Sequence, residues 1–197
     1  MKYILPGMGT SSKMYSGRWH ELEDCVFLDW PPYNNEKTIS ELADRLINKY
    51  EINTNDSVIG SSLGGVVGLE ILKKSGLQKA YLIGSLINPD EANIILKKIV
   101  FPFVNIPVVK ISQWTSSLLK DELRQIYANF SAEFIVNMSK AILRWEGFNG
   151  DLTKVVRIHG KKDPFISCPN DCELIEKGGH MIAISHADEC VDFIRKH

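Results

Sequence analysis

The segment Gly60-Ser61-Ser62-Leu63-Gly64 places two serine hydroxyls among glycines, in the G-x-S-x-G pattern typical of reactive serines. Ser62 holds the central position of the pattern, and Ser61 holds a variable one. An apolar run precedes the segment and a helical pattern follows it, so we expect Ser62 in a sharp turn between a strand and a helix. Flanking glycines leave room for such a turn, because side chains there would collide with both elements. Ser62 is therefore the candidate nucleophile.

A serine hydroxyl needs a general base to become a nucleophile, and the chain has five histidines. His180 is the best candidate, because it directly follows the last predicted strand and two glycines. His159 lies within a predicted strand, where we expect a packed, hydrogen-bonded histidine. His186 is expected on the approach to the terminal helix, and His20 and His197 have no supporting context.

A base must be oriented by an acid, and Asp163 lies in the loop after the fifth predicted strand. The chain order is then Ser62, Asp163, His180, with each residue just past the end of a separate strand. Carboxyl ends of parallel strands are where sites form in α/β sheets. Asp90 is a rival acid after the fourth strand, although its sequence, INPDEA, is more typical of a helix start.

An oxyanion that develops during acyl transfer needs two N–H donors. The backbone N–H of Leu63, at the start of the helix after Ser62, is one candidate. The segment LPGMGTSSKMY (5–15) follows the first predicted strand, and its glycines allow close approach to a ligand. We expect the N–H of Met8 to be the second donor. A dinucleotide or phosphate loop is disfavoured, because neither G-x-G-x-x-G nor the P-loop lysine is present.

Short apolar and β-branched runs alternate with helical patterns along the chain. Strands are predicted at residues 2–5, 25–29, 57–60, 79–84, 155–160 and 172–177, and helices at 38–50, 65–76 and 188–196. Thr38 and Glu41 occupy capping-box positions of the first helix. The alternation predicts a single α/β domain over residues 1–197, with a mostly parallel sheet of about six strands.

Residues 88–150 contain only helical patterns, an insertion of roughly 60 residues that is too long for an ordinary connection between strands. Large apolar side chains recur in it, namely Phe101, Phe103, Trp114, Tyr127, Phe130 and Trp145. We expect a helical lid over the sheet, a role compatible with a purely structural layer.

Composition excludes several classes of protein. The 197 residues are 44% hydrophobic with a net charge of −1, and scattered basic residues give no nucleic-acid footprint. The most apolar stretch (94–111) is interrupted by three lysines and two prolines, so no membrane span is expected. The first apolar run, before Pro6, is too short for a signal peptide. The four cysteines are dispersed, which indicates reduced thiols rather than a metal site. We therefore expect a cytoplasmic protein.

The chain resembles the α/β-hydrolase superfamily through PGMG (6–9), GSSLGG (60–65), HGKKDPFI (159–166) and EKGGHM (176–181). It looks particularly like small bacterial esterases and acyl-CoA thioesterases, and its insert is similar to that of capped carboxylesterases of the pimeloyl-methyl-ester type. Two features depart from the family pattern: Pro6-Gly7 replaces the usual His-Gly, and the chain begins at the family's third strand.

The candidate residues and the resemblance together predict a serine hydrolase acting on a carboxylic ester or acyl thioester, with no cofactor and no metal. The lid's apolar residues suggest a small-molecule substrate with an apolar acyl group, and Trp30 and Met181 are candidate pocket walls. Lactone or carbon–carbon bond hydrolysis would use the same residues. A small-molecule receptor or regulatory protein with little turnover is an alternative from another class.

Overall fold

The computed structural model describes residues 1–93 and 131–197. Among these residues, six strands alternate with helices. They are β1 (Lys2–Leu5), β2 (Cys25–Phe27), β3 (Ser57–Ser61), β4 (Lys79–Ile83), β5 (Val155–Gly160) and β6 (Glu173–Ile175). The helices are α1 (Ile39–Tyr50), α2 (Leu63–Ser75), α3 (Ala132–Arg144), α4 (Ile182–Ser185) and α5 (Ala187–Lys196).

The strands form one sheet in the order β2-β1-β3-β4-β5-β6, and every neighbouring pair is parallel. The predicted α/β class and six-stranded sheet are therefore confirmed. Because parallel strands end at a common edge, the loops after β1, β3, β5 and β6 meet there. Those loops carry Met8, Ser62, Asp163 and His180.

Alternating side chains of the strands pack on opposite faces of the sheet. Leu5, Val58 and Leu82 belong to a core shared with α1, α2 and α3. Their chain neighbours Ile4, Ile59 and Ile83 belong to a second core with Trp19 and the residues of α5. Both faces are thus covered, which explains why the strands are continuous apolar runs.

Helix boundaries follow from local signals. Helix α1 begins with the predicted capping box, in which Thr38 accepts from the Glu41 N–H at 3.1 Å and Glu41 accepts from the Thr38 N–H at 3.1 Å. Helix α2 ends at Ser75 and is capped by Gly76, which is left-handed with φ 65°. The sequence pattern predicted that this helix starts at residue 65, but it begins at Leu63, directly after Ser62.

The predicted insertion (88–150) is described only at its two ends. A short 3-10 turn, Pro89–Glu91, follows Asn88, and α3 returns the chain towards β5. Residues 94–130, with Phe101, Phe103, Trp114, Tyr127 and Phe130, lie outside the described residues. Trp145 follows α3 and donates from Nε1 to Glu70 Oε1 of α2 at 2.8 Å. The described end of the insertion is therefore attached to the main domain.

Candidate active site

Ser62 occupies a strained turn between β3 and α2. Its backbone has φ 51° and ψ −116°, a conformation that residues with a side chain rarely adopt. The turn is held by a hydrogen bond from the Ser62 N–H to the Ile83 carbonyl at 3.1 Å. Ser61, by contrast, is the last residue of β3 and is buried. The two serines are therefore in different environments, and the Ser62 hydroxyl is the one that lies beside His180.

The glycines around Ser62 are required by close backbone contacts. A Cβ on Gly60 would lie 2.3 Å from backbone atoms of Gly64. A Cβ on Gly64 would lie 2.4 Å from the carbonyl oxygen of Leu5. Neither contact can be relieved by a side-chain movement, because both partners are backbone atoms. The strand and the helix can therefore meet at this angle only when both positions are glycine.

His180 lies in the loop between β6 and α4, and its Nε2 is 3.0 Å from Ser62 Oγ. Close packing of glycines brings the loop to this position. A Cβ on Gly160, the last residue of β5, would lie 2.2 Å from the carbonyl oxygen of Gly179. The ring of Phe165 contacts His180 edge to face, with the ring centroids 5.2 Å apart. The imidazole is therefore supported on one side by an aromatic ring.

Asp163 accepts a hydrogen bond from His180, with Nδ1 and Oδ2 2.8 Å apart. Its other oxygen, Oδ1, accepts from the N–H groups of Phe165 at 2.8 Å and Ile166 at 3.1 Å. Burial raises the pKa of Asp163, but hydrogen bonds from His159, His180 and Phe165 outweigh it and lower the pKa below its ordinary value of 3.8. The carboxylate is thus held ionised and can orient the imidazole. Ser62, His180 and Asp163 form one continuous hydrogen-bonded chain.

The backbone N–H groups of Met8 and Leu63, the two predicted oxyanion donors, have no hydrogen-bond acceptor among residues 1–93 and 131–197. Leu63 is the first residue of α2, where the helix leaves its N–H groups unpaired. A Cβ on Gly7 would lie 3.8 Å from Ser62 Cβ, so the loop containing Met8 passes close to the serine. The Gly7 carbonyl is held by Thr10 Oγ1 at 2.9 Å and Trp30 Nε1 at 3.0 Å.

A cavity of about 490 Å³ lies next to this loop. Its lining includes Thr10, Ser11, Trp30, Tyr33, Glu133 and Phe134. Trp30 thus lines a cavity and also bonds to the loop that passes Ser62. Met181, the other predicted wall residue, is not among the residues that line this cavity. Its side chain packs against the core cluster that contains Ile182.

The rival acid Asp90 does not take the place of Asp163 beside His180. Its N–H donates to Asn88 Oδ1 at 2.9 Å, in the 3-10 turn at the start of the insertion. This position agrees with a helix-start residue. His186 contacts Ser185 Oγ at 2.8 Å through Nδ1, and His20 is exposed against Phe27.

Sequence reasoning missed two groups that support the turn at Ser62. Ser85, in the loop after β4, donates from Oγ to the Ser62 carbonyl at 2.7 Å. Arg157 of β5 is buried and donates from Nη2 to the Ser85 carbonyl at 3.2 Å and to Glu91 Oε2 at 2.7 Å. The sequence did contain a signal for Arg157, because an arginine inside an otherwise apolar, buried strand needs a hydrogen-bonding or charged partner.

The sequence predicted His159 as a packed, hydrogen-bonded histidine of a strand and gave it no role at the site. It is buried as expected, but its Nε2 lies 3.3 Å from Asp163 Oδ2.

Within the described part of the chain, no group of three or more histidine, cysteine or acidic side chains could hold a metal ion. No helix among those residues is both long and apolar enough to cross a membrane.

No protein-family model and no curated protein matches the chain. Solved structures do. An esterase from Thermogutta terrifontis superposes with a TM-score of 0.72 at 16% identity, covering 99% of this chain and 88% of its own. The N-acyl homoserine lactonase AidH superposes with a TM-score of 0.75 at 13% identity, covering 99% and 87%.

A lipase-esterase related protein from Clostridium acetobutylicum is similar as well, with a TM-score of 0.71 at 16% identity over 99% of this chain and 93% of that one. Likeness over nearly the whole length of both chains shows a common fold. The chain therefore has the α/β-hydrolase fold, as its motifs predicted. Because one fold supports many chemistries, the activity has to be argued from the site itself.

Proposed function

We propose that this protein is a serine hydrolase that cleaves a carboxylic ester or an acyl thioester. The observation that carries the proposal is the hydrogen-bonded chain from Ser62 Oγ through His180 to Asp163, at 3.0 Å and 2.8 Å. Each residue comes from the loop after a different strand. The arrangement matches a nucleophile, a general base and an orienting acid.

In the proposed reaction, Ser62 Oγ attacks the acyl carbonyl carbon while His180 Nε2 takes the hydroxyl proton. Asp163 holds the proton on Nδ1 and stabilises the imidazolium that forms. As the tetrahedral intermediate collapses, His180 gives the proton to the leaving alcohol or thiol, and an acyl-Ser62 ester remains. Water, deprotonated by the same histidine, then attacks that ester and releases the acid. These steps need no cofactor and no metal.

The oxyanion of the tetrahedral intermediate would be held by the N–H groups of Met8 and Leu63. Both are unpaired within the described ranges 1–93 and 131–197, so binding the oxyanion breaks no existing hydrogen bond there. Donors fixed in advance stabilise developing charge without reorganisation, and one such donor contributes about 3 kcal/mol. Trp30 supports this function by donating to the carbonyl of Gly7, the residue before Met8, at 3.0 Å.

The substrate is proposed to be a small molecule with an apolar acyl group, with Trp30 as a wall of its pocket. Trp30 and Phe134 give the neighbouring cavity an apolar side, and their ring centroids are 5.6 Å apart. Met181 stays a predicted wall residue, beside His180 in the chain. The role of residues 88–150 as a lid and the cytoplasmic location also stay predictions.

A lactone is a cyclic ester, and the likeness to a lactonase favours lactone hydrolysis as the second candidate. It needs no change in the roles of Ser62 and His180. An acyl chain carried on a lactone ring would still present an apolar group to the cavity lined by Trp30.

The test compares Ser62→Ala with Ser61→Ala on a panel of p-nitrophenyl esters, acyl thioesters and acyl lactones. Ser62→Ala is expected to lower kcat by about 10⁴-fold or more, whereas Ser61→Ala, one residue away, keeps most activity. A fluorophosphonate should label wild type and Ser61→Ala at Ser62, as read by peptide mass spectrometry. Unchanged hydrolysis by Ser62→Ala contradicts the proposal. Stoichiometric acylation of Ser62 without turnover indicates the receptor alternative instead.

A further inference from the structure

The acid of the site is contacted by a second histidine. His159, near the end of β5, is 1% exposed, and its Nε2 lies 3.3 Å from Asp163 Oδ2. The same oxygen accepts from His180 Nδ1 at 2.8 Å. One carboxylate oxygen therefore lies between two imidazole rings, one that faces Ser62 and one buried in the sheet.

The surroundings of His159 determine which of its nitrogens carries the proton. Besides Asp163 Oδ2, the Ile166 carbonyl oxygen lies 3.4 Å from Nε2. Both neighbours are hydrogen-bond acceptors, so Nε2 must be the protonated nitrogen for either contact to be favourable. A proton on Nε2 therefore faces both oxygens, with Ile166 as its hydrogen-bond acceptor and Asp163 Oδ2 in contact.

The carboxylate of Asp163 then has a complete set of donors. Oδ1 accepts from the Phe165 and Ile166 N–H groups, and Oδ2 accepts from His180 Nδ1 and is contacted by His159 Nε2 at 3.3 Å. The side chain of Asp163 is itself 1% exposed, so solvent cannot replace a missing donor. A buried carboxylate that loses a donor is destabilised and is free to rotate about its remaining hydrogen bonds.

His159 is well placed to give rigid support. It belongs to β5 and pairs in register with Leu174 of β6, the strand that leads towards His180. Asp163, in contrast, lies in a loop, and loop side chains keep a precise orientation only when neighbouring groups hold them. Contact with Ile166 extends that support to the residues that bind the other carboxylate oxygen.

We propose that His159 is a positioning residue that holds Asp163 Oδ2 in the orientation in which it accepts from His180. The inference rests on the proposed function, in which Asp163 orients the base. His159 touches neither Ser62 nor the substrate in this role, and it acts through Asp163 alone. Its loss should therefore lower kcat and leave KM nearly unchanged.

The test uses three substitutions of His159 that differ in whether the new side chain can donate a hydrogen bond to Asp163 Oδ2. His159→Gln keeps an amide N–H that can replace Nε2–H, whereas His159→Asn keeps an amide that is too short to reach Oδ2. His159→Leu removes the donor but fills the space. We expect kcat to fall about 10-fold or more in the Asn and Leu variants and to recover in the Gln variant, since small misplacements of a base are costly. Exposed His20→Gln is the matched control and should keep wild-type kcat.

A second measurement does not depend on turnover. The proton between His180 Nδ1 and Asp163 should give a low-field NMR resonance, which its loss in His180→Gln would assign. This resonance should shift or broaden in His159→Asn and His159→Leu, and stay in place in His159→Gln. If wild type cleaves no ester and Ser62 takes no label, the proposed function fails, but the resonance still decides the role of His159.

Two results would overturn the inference. One is that the Asn and Leu variants both keep the wild-type resonance and, where ester cleavage is measurable, the wild-type kcat. Even if their melting temperatures are lower, His159 is then only a core residue. The other is equal behaviour of the Gln and Asn variants, because then the reach of the donor does not matter.

Discussion

The hydroxyl of Ser85 donates a 2.7 Å hydrogen bond to the carbonyl oxygen of Ser62. It joins the loop after β4 to the strained turn that presents the candidate nucleophile. Arg157 holds the other side of this loop by donating to the Ser85 carbonyl at 3.2 Å. The conformation of Ser62 therefore depends on the loop after β4, although β4 and this loop contribute no reacting group.

Ser85→Ala should weaken this support without breaking the fold. The Ser62 carbonyl also accepts from the N–H groups of Gly65 and Val66, so it keeps partners. The expected loss is about 1 kcal/mol in the free energy of unfolding, the usual value for one hydrogen bond. We also expect kcat to fall several-fold, because Ser62 gains freedom. Urea unfolding and ester kinetics measure the two effects, and an unchanged variant would show that Ser85 is not needed.

Gly64→Ala should lower the free energy of unfolding far more than the same substitution at a glycine that has no close neighbours. The new Cβ would lie 2.4 Å from the Leu5 carbonyl oxygen, which forces α2 away from the sheet. Overpacking of this kind costs about 3 kcal/mol. Gly17→Ala is the matched comparison: Gly17 has φ 62° and nothing within 4 Å, so only backbone strain of about 1 kcal/mol is expected.

Thermal melting and fluorophosphonate labelling distinguish the two variants. Gly17→Ala should melt slightly below wild type and label normally, whereas Gly64→Ala should melt much lower and lose labelling at Ser62. Equal melting temperatures would mean that the helix moves freely away from the strand, against the close packing seen here.

Stability should depend on pH through Asp163. Its pKa in the folded protein is below the ordinary value of 3.8, so folding favours the ionised carboxylate. The unfolded chain therefore takes up this proton first as pH falls. The stability contribution of Asp163 is complete well above pH 3.8 and is lost as pH falls below that value towards the folded pKa.

Comparing wild type with Asp163→Asn isolates this contribution. The variant should be less stable at pH 7, because its amide N–H₂ must face N–H donors in either orientation, those of the backbone at Phe165 and Ile166 or that of His180. Below about pH 4 the gap between the two unfolding free energies should narrow, since only wild type has a carboxylate there to protonate. Urea unfolding between pH 7 and pH 3 measures the gap, and a constant gap contradicts the prediction.

Local signals in the sequence were enough for the elements and for the order of the candidate residues. Apolar runs ended by turn residues predicted all six strands, and the capping box located the start of α1. The edge strand β2 was predicted to residue 29 but ends at Phe27, and Asp29 instead accepts from the Ser12 N–H at 2.7 Å. Such boundaries depend on partners far along the chain, which a local pattern does not contain.

The sequence by itself determined which residue types were available and that Ser62, Asp163 and His180 would follow separate strands, because apolar periodicity and glycine positions are local properties. Only the tertiary structure decided that His159 also faces Asp163, and that Ser85 and Arg157 support the Ser62 turn. Those contacts join residues of different strands and loops. Their geometry comes from strand order, register and helix packing, which no short stretch of sequence specifies.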